Sequence, residues 1–357
     1  MVNWREKLID MLRYTINEGA SDLHISAGIS PFIRVNGQMS PTDYSPLSTG
    51  ECENLVYCLM TPEEKKVFEA EKTLDFSFGE AGLGRFRVNV YQQRGSIAAA
   101  IRLLPMDIIE LEKLGLPVEP MKRFCNLSHG LVLVCGPVGS GKTTTLASMI
   151  DYINKTRRCH IISIEDPIEY VHRNIKSLIH QREVRRDTSN FIDALKFVLR
   201  EDPDIVIIGE MRDIETITTA LTIAETGHLV FATLHTGDTS ESLRRIIDVF
   251  GGSQQSQVIS QLSSTLLGVV NQMLMPKSDK SGRVLASEVM VVTPAIQNLI
   301  RENKVEQIYS HIQIGTAYGM QTMSQSLSEL VRSGIVSQDF ALQKTKRDKE
   351  LGRLIGN

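Results

Sequence analysis

The residue types with the most definite chemistry stand together at Gly136-Pro137-Val138-Gly139-Ser140-Gly141-Lys142-Thr143-Thr144. Two glycines five apart, followed by Lys and Thr, have the spacing of a phosphate-binding loop. Gly136, Gly139 and Gly141 let the backbone curl until several N–H groups face one anion. A helix opening at the loop adds the positive end of its dipole. Lys142 then brings a full charge to β- and γ-phosphates, and the Thr143 hydroxyl stands where Mg²⁺ is held.

Hydrolysis of a bound nucleotide also needs a group to orient or deprotonate water, and charge to neutralise the phosphoryl. Glu210 stands at the end of the strand-like run Asp204–Ile208, where a Walker B acid is expected, and Gly209 stands where an Asp-Glu pair would have its Asp. A second acidic cluster, Glu165, Asp166 and Glu169, follows the apolar run 161–164. His228 and His235 lie seven apart, at opposite ends of the run 229–234. Far upstream, Arg85 and Arg87 sit at i and i+2, so they share one face of a strand, with Arg94 in the next turn and Arg102 ending the next strand. The residues alone leave two readings of this set: a solvated sheet face, or cations offered to another subunit's nucleotide.

The elements that must position these groups read as follows. At 357 residues, 42% apolar and 23% charged, the chain has the make-up of an ordinary globular protein of two domains. A net charge of −3 disfavours nucleic-acid binding by bulk electrostatics. The five cysteines show no C-x-x-C spacing, so neither a disulfide frame nor a zinc site is expected and reduced, cytoplasmic thiols are. No apolar run approaches the roughly 20 residues of a membrane span, so membrane association is expected only through a partner.

Residues 1–105 read as a mixed α+β domain. Leu8, Met11, Leu12 and Ile16 line a first helix, Asn36-Gly37 signals a hairpin, and Ser48/Glu51 and Thr61/Glu64 form capping boxes. Three period-two strands follow, at 74–78, 86–90 and 97–101. Residues 106–117 read as a linker, semi-ordered between prolines. From 118 to 357 strands and helices alternate as in an α/β domain with a largely parallel sheet, where ligands bind at the carboxyl ends of strands. Asp238 and Glu241 open a helix, the pattern Val258, Leu262, Leu266 predicts helix to about Met275, and Thr322/Gln325 cap another that Gly334 stops. The charged stretch 344–349 reads as solvated.

These boxes resemble, in order, the Walker A, Asp box, Walker B and His box of the type II/IV secretion ATPases. The Asp box is Ile164-Glu165-Asp166-Pro167-Ile168-Glu169-Tyr170, Walker B is Leu199–Asp213, and the His box is Thr226–Thr236. Within that superfamily the chain is most similar to the PilT-type retraction ATPases of type IV pili, including Gly19–Ile25 near the start and Ala295–Glu302 near the end. The resemblance implies a PAS-like N-terminal domain, a RecA-like ATPase domain, and a homo-hexamer with ATP and Mg²⁺ at subunit boundaries. It implies Glu210 near Mg²⁺ and water, Glu169 as the water-activating carboxylate with Glu165 as rival, and Arg87 and Arg102 reaching the γ-phosphate. His228 and His235 match the His-box pair. The implied partner is the inner-membrane platform of the pilus machine, with no nucleic acid and no membrane insertion. The assembly and secretion branches usually carry a tetracysteine zinc insertion, which this sequence lacks. The chain departs from the retraction branch at Gln297, where that motif usually has Arg.

Overall fold

The computed structural model describes residues 3–35, 37–105 and 107–356. The chain divides into two compact units: Met1–Asp107 with Pro167–Val171, and Ile108–Asp166 with His172–Asn357.

In the first unit, α1 (Trp4–Asn17) is capped by the Asn3 side chain, which accepts the Glu6 N–H, and it buries Leu8, Met11 and Leu12. Strands β1 (Asp22–Ile25), β2 (Phe32–Val35) and β3 (Gln38–Pro41) follow, then α2 (Thr49–Tyr57), α3 (Pro62–Glu71), β4 (Thr73–Glu80), β5 (Gly84–Gln93) and β6 (Ser96–Leu104). Both expected capping boxes form, with side-chain and backbone bonds in each direction. The expected Asn36-Gly37 turn lies outside the described residues at Asn36; the β2–β3 pairing that flanks it is antiparallel, Val35 opposite Gln38. The sheet order is β3-β2-β1-β6-β5-β4, antiparallel throughout. Alternation sends Phe86, Val88 and Val90 of β5 into the core and leaves Arg85 and Arg87 on the opposite face.

The second unit begins at Ile108. Within the stretch 106–117, expected as linker, Leu111 and Leu116 are buried in the core of this unit while Ile109, Glu110, Glu112, Lys113 and Gly115 are exposed. It continues through α4 (Val118–Cys125), β7 (Gly130–Cys135), α5 (Lys142–Thr156), β8 (His160–Glu165), β9 (Leu178–Glu183), α6 (Phe191–Val198), β10 (Ile205–Ile208), α7 (Ile214–Glu225) and β11 (Leu229–Leu234). Then come α8 (Thr239–Asp248), α9 (Ser253–Thr265), β12 (Leu266–Pro276) and β13 (Arg283–Val291). Among the described residues the sheet order is β13-β12-β7-β11-β10-β8-β9, parallel except at β13. Strands β7, β10 and β11 are buried at every position, as befits a sheet covered on both faces.

One expectation is overturned here: helix stops at Thr265, and Leu266–Pro276 is a strand beside β7. A run apolar on both faces fits a buried helix or a buried strand equally well by period. Its ladders with β7 and β13 decide it, and at Gly268 a Cβ would stand 2.1 Å from a Phe124 ring carbon. The missing side chain lets Phe124 of α4 lie directly on the strand.

The chain ends in α10 (Pro294–Arg301), α11 (Ile308–Ile314), α12 (Met323–Arg332), α13 (Gln338–Lys344) and α14 (Asp348–Ile355). The Thr322/Gln325 capping box forms and Gly334 follows α12 at φ +71°. The charges of 344–349 are exposed, as expected, and two of them also make contacts. Lys346 Nζ binds Glu241 at 2.7 Å and Asp238 at 3.2 Å, and the Arg347 guanidinium lies 3.5 Å over the Tyr309 ring centroid. These contacts pin the last helices to the start of α8 and to α11. Among the described residues, no helix is long and apolar enough to cross a membrane. All five cysteines are free, and burial pushes the Cys125 thiol up to about 12 and Cys135 to about 11, which keeps them protonated and unreactive.

Candidate ATP-hydrolysis site

The strand–turn–helix order of β7, 136–141 and α5 builds the phosphate loop. Gly136, Gly139 and Gly141 take φ of +147°, +75° and +92°, which side chains with a Cβ rarely adopt. The Ser140 N–H closes a turn onto Pro137 O at 3.2 Å; Ser140 is buried, while Val138 stands exposed at the tip. Gly141 is the N-cap of α5, with Thr143 and Thr144 in its first turn.

Lys142 lies inside the loop. Its Nζ donates to Gly136 O at 2.8 Å and Pro137 O at 3.1 Å, and reaches His235 Nδ1 at 3.2 Å. An ammonium only donates, so Nδ1 accepts and the neutral ring carries its proton on Nε2. That nitrogen stands 3.2 Å from Glu210 Oε1, while Arg212 binds Glu210 Oε2 at 2.8 Å. Burial works to raise the Glu210 carboxyl, yet the bond and charge of Arg212, with His235 beside it, hold it below the usual range. Glu210 is thus an ionised carboxylate at the carboxyl edge of the parallel sheet, linked through one imidazole to the loop lysine. Gly209 has a steric reason: a Cβ there would come within 3.0 Å of Ile164 O, where its own N–H bonds β8.

Glu165 ends β8, the strand next to β10. Its Oε1 accepts from Ser163 Oγ at 2.7 Å and Gln181 Nε2 at 3.0 Å; Gln181 Oε1 in turn accepts the His172 N–H at 2.8 Å. Burial drives the His172 ring down to about 4, so it stays neutral at ordinary pH.

In the first unit, Arg87 and Arg102 face each other across β5 and β6. Two cations directly opposite repel, and each is held by an acid. Arg87 Nη2 binds Asp75 at 2.5 Å, with its Nη1 3.9 Å from Glu169, and Arg102 Nε binds Asp22 at 2.7 Å. Burial would raise Asp22, but bonds from Ser21 and Arg102 keep it lowered. Arg85 donates from Nε to Ile168 O at 3.0 Å and from Nη2 to Ser77 Oγ at 2.6 Å, anchoring the Pro167–Val171 segment that carries Glu169. Arg94 is exposed in the β5–β6 turn.

The match to known proteins covers this whole arrangement. The family model described as type II/IV secretion system protein matches residues 4–347. The chain belongs to this family. It is 48% identical over 339 residues, 95% of this chain and 98% of the other, to the type IV pilus retraction ATPase PilT of Pseudomonas aeruginosa. It is 43% identical over 344 residues, 96% and 92% of the two chains, to a twitching motility protein of Neisseria gonorrhoeae. A crystal structure of the pilus retraction motor PilT with bound ADP superposes with a TM-score of 0.90 at 48% identity, covering 97% of this chain and 98% of that one. With such relatives the fold is the expected α/β ATPase fold preceded by a smaller α+β unit, and the protein is a nucleotide-binding ATPase.

Of the residues singled out in the sequence, the second unit brings together Lys142, His235 and Glu210 in one bonded chain. Glu165 ends the neighbouring β8. His228 is not brought to them. It sits at the amino end of β11, roughly 20 Å along the strand from His235, with its ring at Ile223 O and Thr226 Oγ1, each 3.2 Å away. A parallel strand delivers only its carboxyl end to the phosphate loop. The Asp box is divided: Glu165 stays with the second unit and Glu169 groups with Arg87 in the first. Sequence reasoning missed Gln181, Asp22 and Asp75, which hold Glu165, Arg102 and Arg87. Period-two alternation with the strand register would have found Asp22, opposite Arg102 on β1; no local signal marks Gln181.

Proposed function

We propose that this protein is the ATP-hydrolysing motor that drives retraction of type IV pili. The observation that carries it is the full-length likeness to a retraction ATPase together with an intact Lys142–His235–Glu210 chain. In this reading the N–H groups of 139–144 and the helix dipole of α5 cradle the phosphates. Lys142 exchanges its loop carbonyls for β- and γ-phosphate oxygens. Released from Lys142, His235 keeps its Nε2 proton toward Glu210 and holds that carboxylate where it orients the attacking water.

The set of one hydroxyl and one carboxylate, Thr143 and Glu210, fits Mg²⁺, which takes most of its ligands from phosphates and water. Bound there, the ion would neutralise charge on the β- and γ-phosphates.

Arg87, Arg102 and Glu169 belong to the other half of the reaction. We assign them to the nucleotide of an adjoining copy in a homo-hexamer, with Glu169 as the leading water-activating acid of the Asp box and Glu165 held in support. His228 then has a place only at a subunit boundary. The ring works at the inner face of the cytoplasmic membrane through the pilus platform. The PAS-like character of residues 1–105 is part of the same proposal.

Two outcomes test the assembly. Arg102→Ala and Lys142→Ala proteins, each inactive alone, should regain activity when mixed, because some boundaries then receive both residues. An arginine contact of the finger type is worth roughly 10³–10⁵ in rate, so rescue stands far above background. Absence of rescue in mixed rings shown to form would place Arg102 in cis. In the host, deletion of the gene should leave surface pili in place and abolish surface motility; loss of pili instead would support the assembly reading. Gln297 lies half-buried on α10, whose N-cap Thr293 accepts the Ile296 N–H. Gln297→Arg adds a charge and a bidentate donor and should speed pilus loss in cells; an unchanged rate would remove position 297 from retraction.

A further inference from the structure

β12 meets the phosphate loop and the His-box loop at once. It runs parallel to β7, with Asn271 opposite Cys135, the last strand residue before the loop. Adjacent residues on a strand leave opposite faces, and here each face has a loop to hold. The Gln272 side chain donates from Nε2 to Ser140 O at 2.8 Å. The Asn271 side chain donates from Nδ2 to Thr236 O at 3.3 Å. Gln272 is fully buried and Asn271 is 1% exposed. The backbone fits closely too: a Cβ on Gly136 would strike Gln272 O, and one on Gly141 would come within 3.2 Å of Gln272 Nε2.

Both amides carry an acceptor oxygen, Gln272 Oε1 and Asn271 Oδ1, buried without a hydrogen-bond partner. An unsatisfied buried acceptor opposes stability, so an apolar residue of the same size would serve a core strand better. These amides are kept at a cost to the fold, which points to a task in the site. The peptide plane supplies it. In a trans peptide the C=O of Ser140 and the N–H of Gly141 point in opposite directions. Drawing Ser140 O inward onto Gln272 turns the Gly141 N–H outward to the phosphate-facing side of the loop. Asn271 does the corresponding work on the other loop: it fixes the carbonyl of Thr236, the residue after His235.

We infer that Gln272 and Asn271 are positioning residues for this site, Gln272 aiming the phosphate loop at the β-phosphate and Asn271 setting the stance of His235. This deepens the ATPase reading and rests on it. The two side chains predict a split. Gln272→Met, close in length but without the amide, should weaken ADP binding by about tenfold or more, while the unliganded protein melts within about 3 °C of wild type. Asn271→Leu should keep ADP affinity within twofold and lower kcat several-fold, because it disturbs His235 and leaves the loop aimed.

The experiment is titration of ADP into wild type and both variants, alongside steady-state ATP turnover and melting of the unliganded proteins. ADP affinity unchanged in a folded Gln272→Met protein overturns the assignment of Gln272. A fall in the unliganded melting temperature well beyond about 3 °C alongside the loss of ADP affinity overturns it in favour of a packing role. If Gln272→Met does not fold, Gln272→Asn, with its amide withdrawn by one methylene, carries the same expectation. Wild type that binds ADP and hydrolyses no ATP would instead fault the ATPase reading and leave the ADP comparison standing.

Discussion

Glu210→Gln binds ADP and ATP as the wild type does and hydrolyses ATP about 10²–10⁴-fold more slowly, the range expected when a positioned acid–base group is lost. The geometry explains why so small a change has so large an effect. One oxygen of Glu210 faces the His235 Nε2 proton and the other faces Arg212. A carboxylate accepts from both. An amide has one acceptor oxygen and one donor nitrogen, so one of these contacts becomes donor against donor. The variant therefore loses its charge and also one of the two contacts that aim it. Binding survives because the phosphate loop and Lys142 belong to β7 and α5. The check is phosphate release under saturating ATP, with ADP affinity measured on the same sample. Turnover within a few-fold of wild type would remove Glu210 from the chemistry and leave the water to the Asp box alone.

The second large effect concerns the fold. Gly268→Val lowers stability by about 3 kcal/mol, the upper part of the usual range for overpacking. Its Cβ would come within 2.1 Å of a Phe124 ring carbon and approach Met290 O to 3.0 Å, and Phe124 is 1% exposed. Relief requires moving α4 off the sheet or breaking the β12–β7 ladder, and the second course also releases Gln272 and Asn271 from their loops. Urea unfolding followed by circular dichroism measures the loss. Gly251→Ala serves as the comparison, since nothing lies within 4 Å of its Cβ position and its backbone is unstrained; it should unfold as the wild type does. A loss under 1 kcal/mol for Gly268→Val would mean that the Phe124–β12 contact is looser than the structure has it.

Much of the arrangement was legible in the residues because its causes are local. The capping boxes at Ser48, Thr61 and Thr322 each depend on a side chain three residues from its partner, and all three form. The alternation of β5 separates Phe86 and Val88 from Arg85 and Arg87 without help from the rest of the chain. β12 was not legible, because its apolar run satisfies two periods and the choice lies with β7, which pairs with it from far earlier in the chain. The exposure of 344–349 was legible in its charges, but its partners were not: Lys346 finds Asp238 and Glu241 only once α8 has been placed beside it.

The candidate site divides along the same line. Glycine spacing, Lys142 and the helix behind it determine that a phosphate is held, since backbone conformation and helix dipole act within a dozen residues. Strand ends place Glu210, Glu165 and His235 at the sheet's carboxyl edge, because in a parallel sheet that edge is shared. Only the tertiary structure decided that His235 stands between Lys142 and Glu210 and that Asp22 and Asp75 hold the arginines. Those are matters of register and of which strands lie side by side, and a hydrogen bond between residues far apart in the chain leaves no periodic trace in either segment.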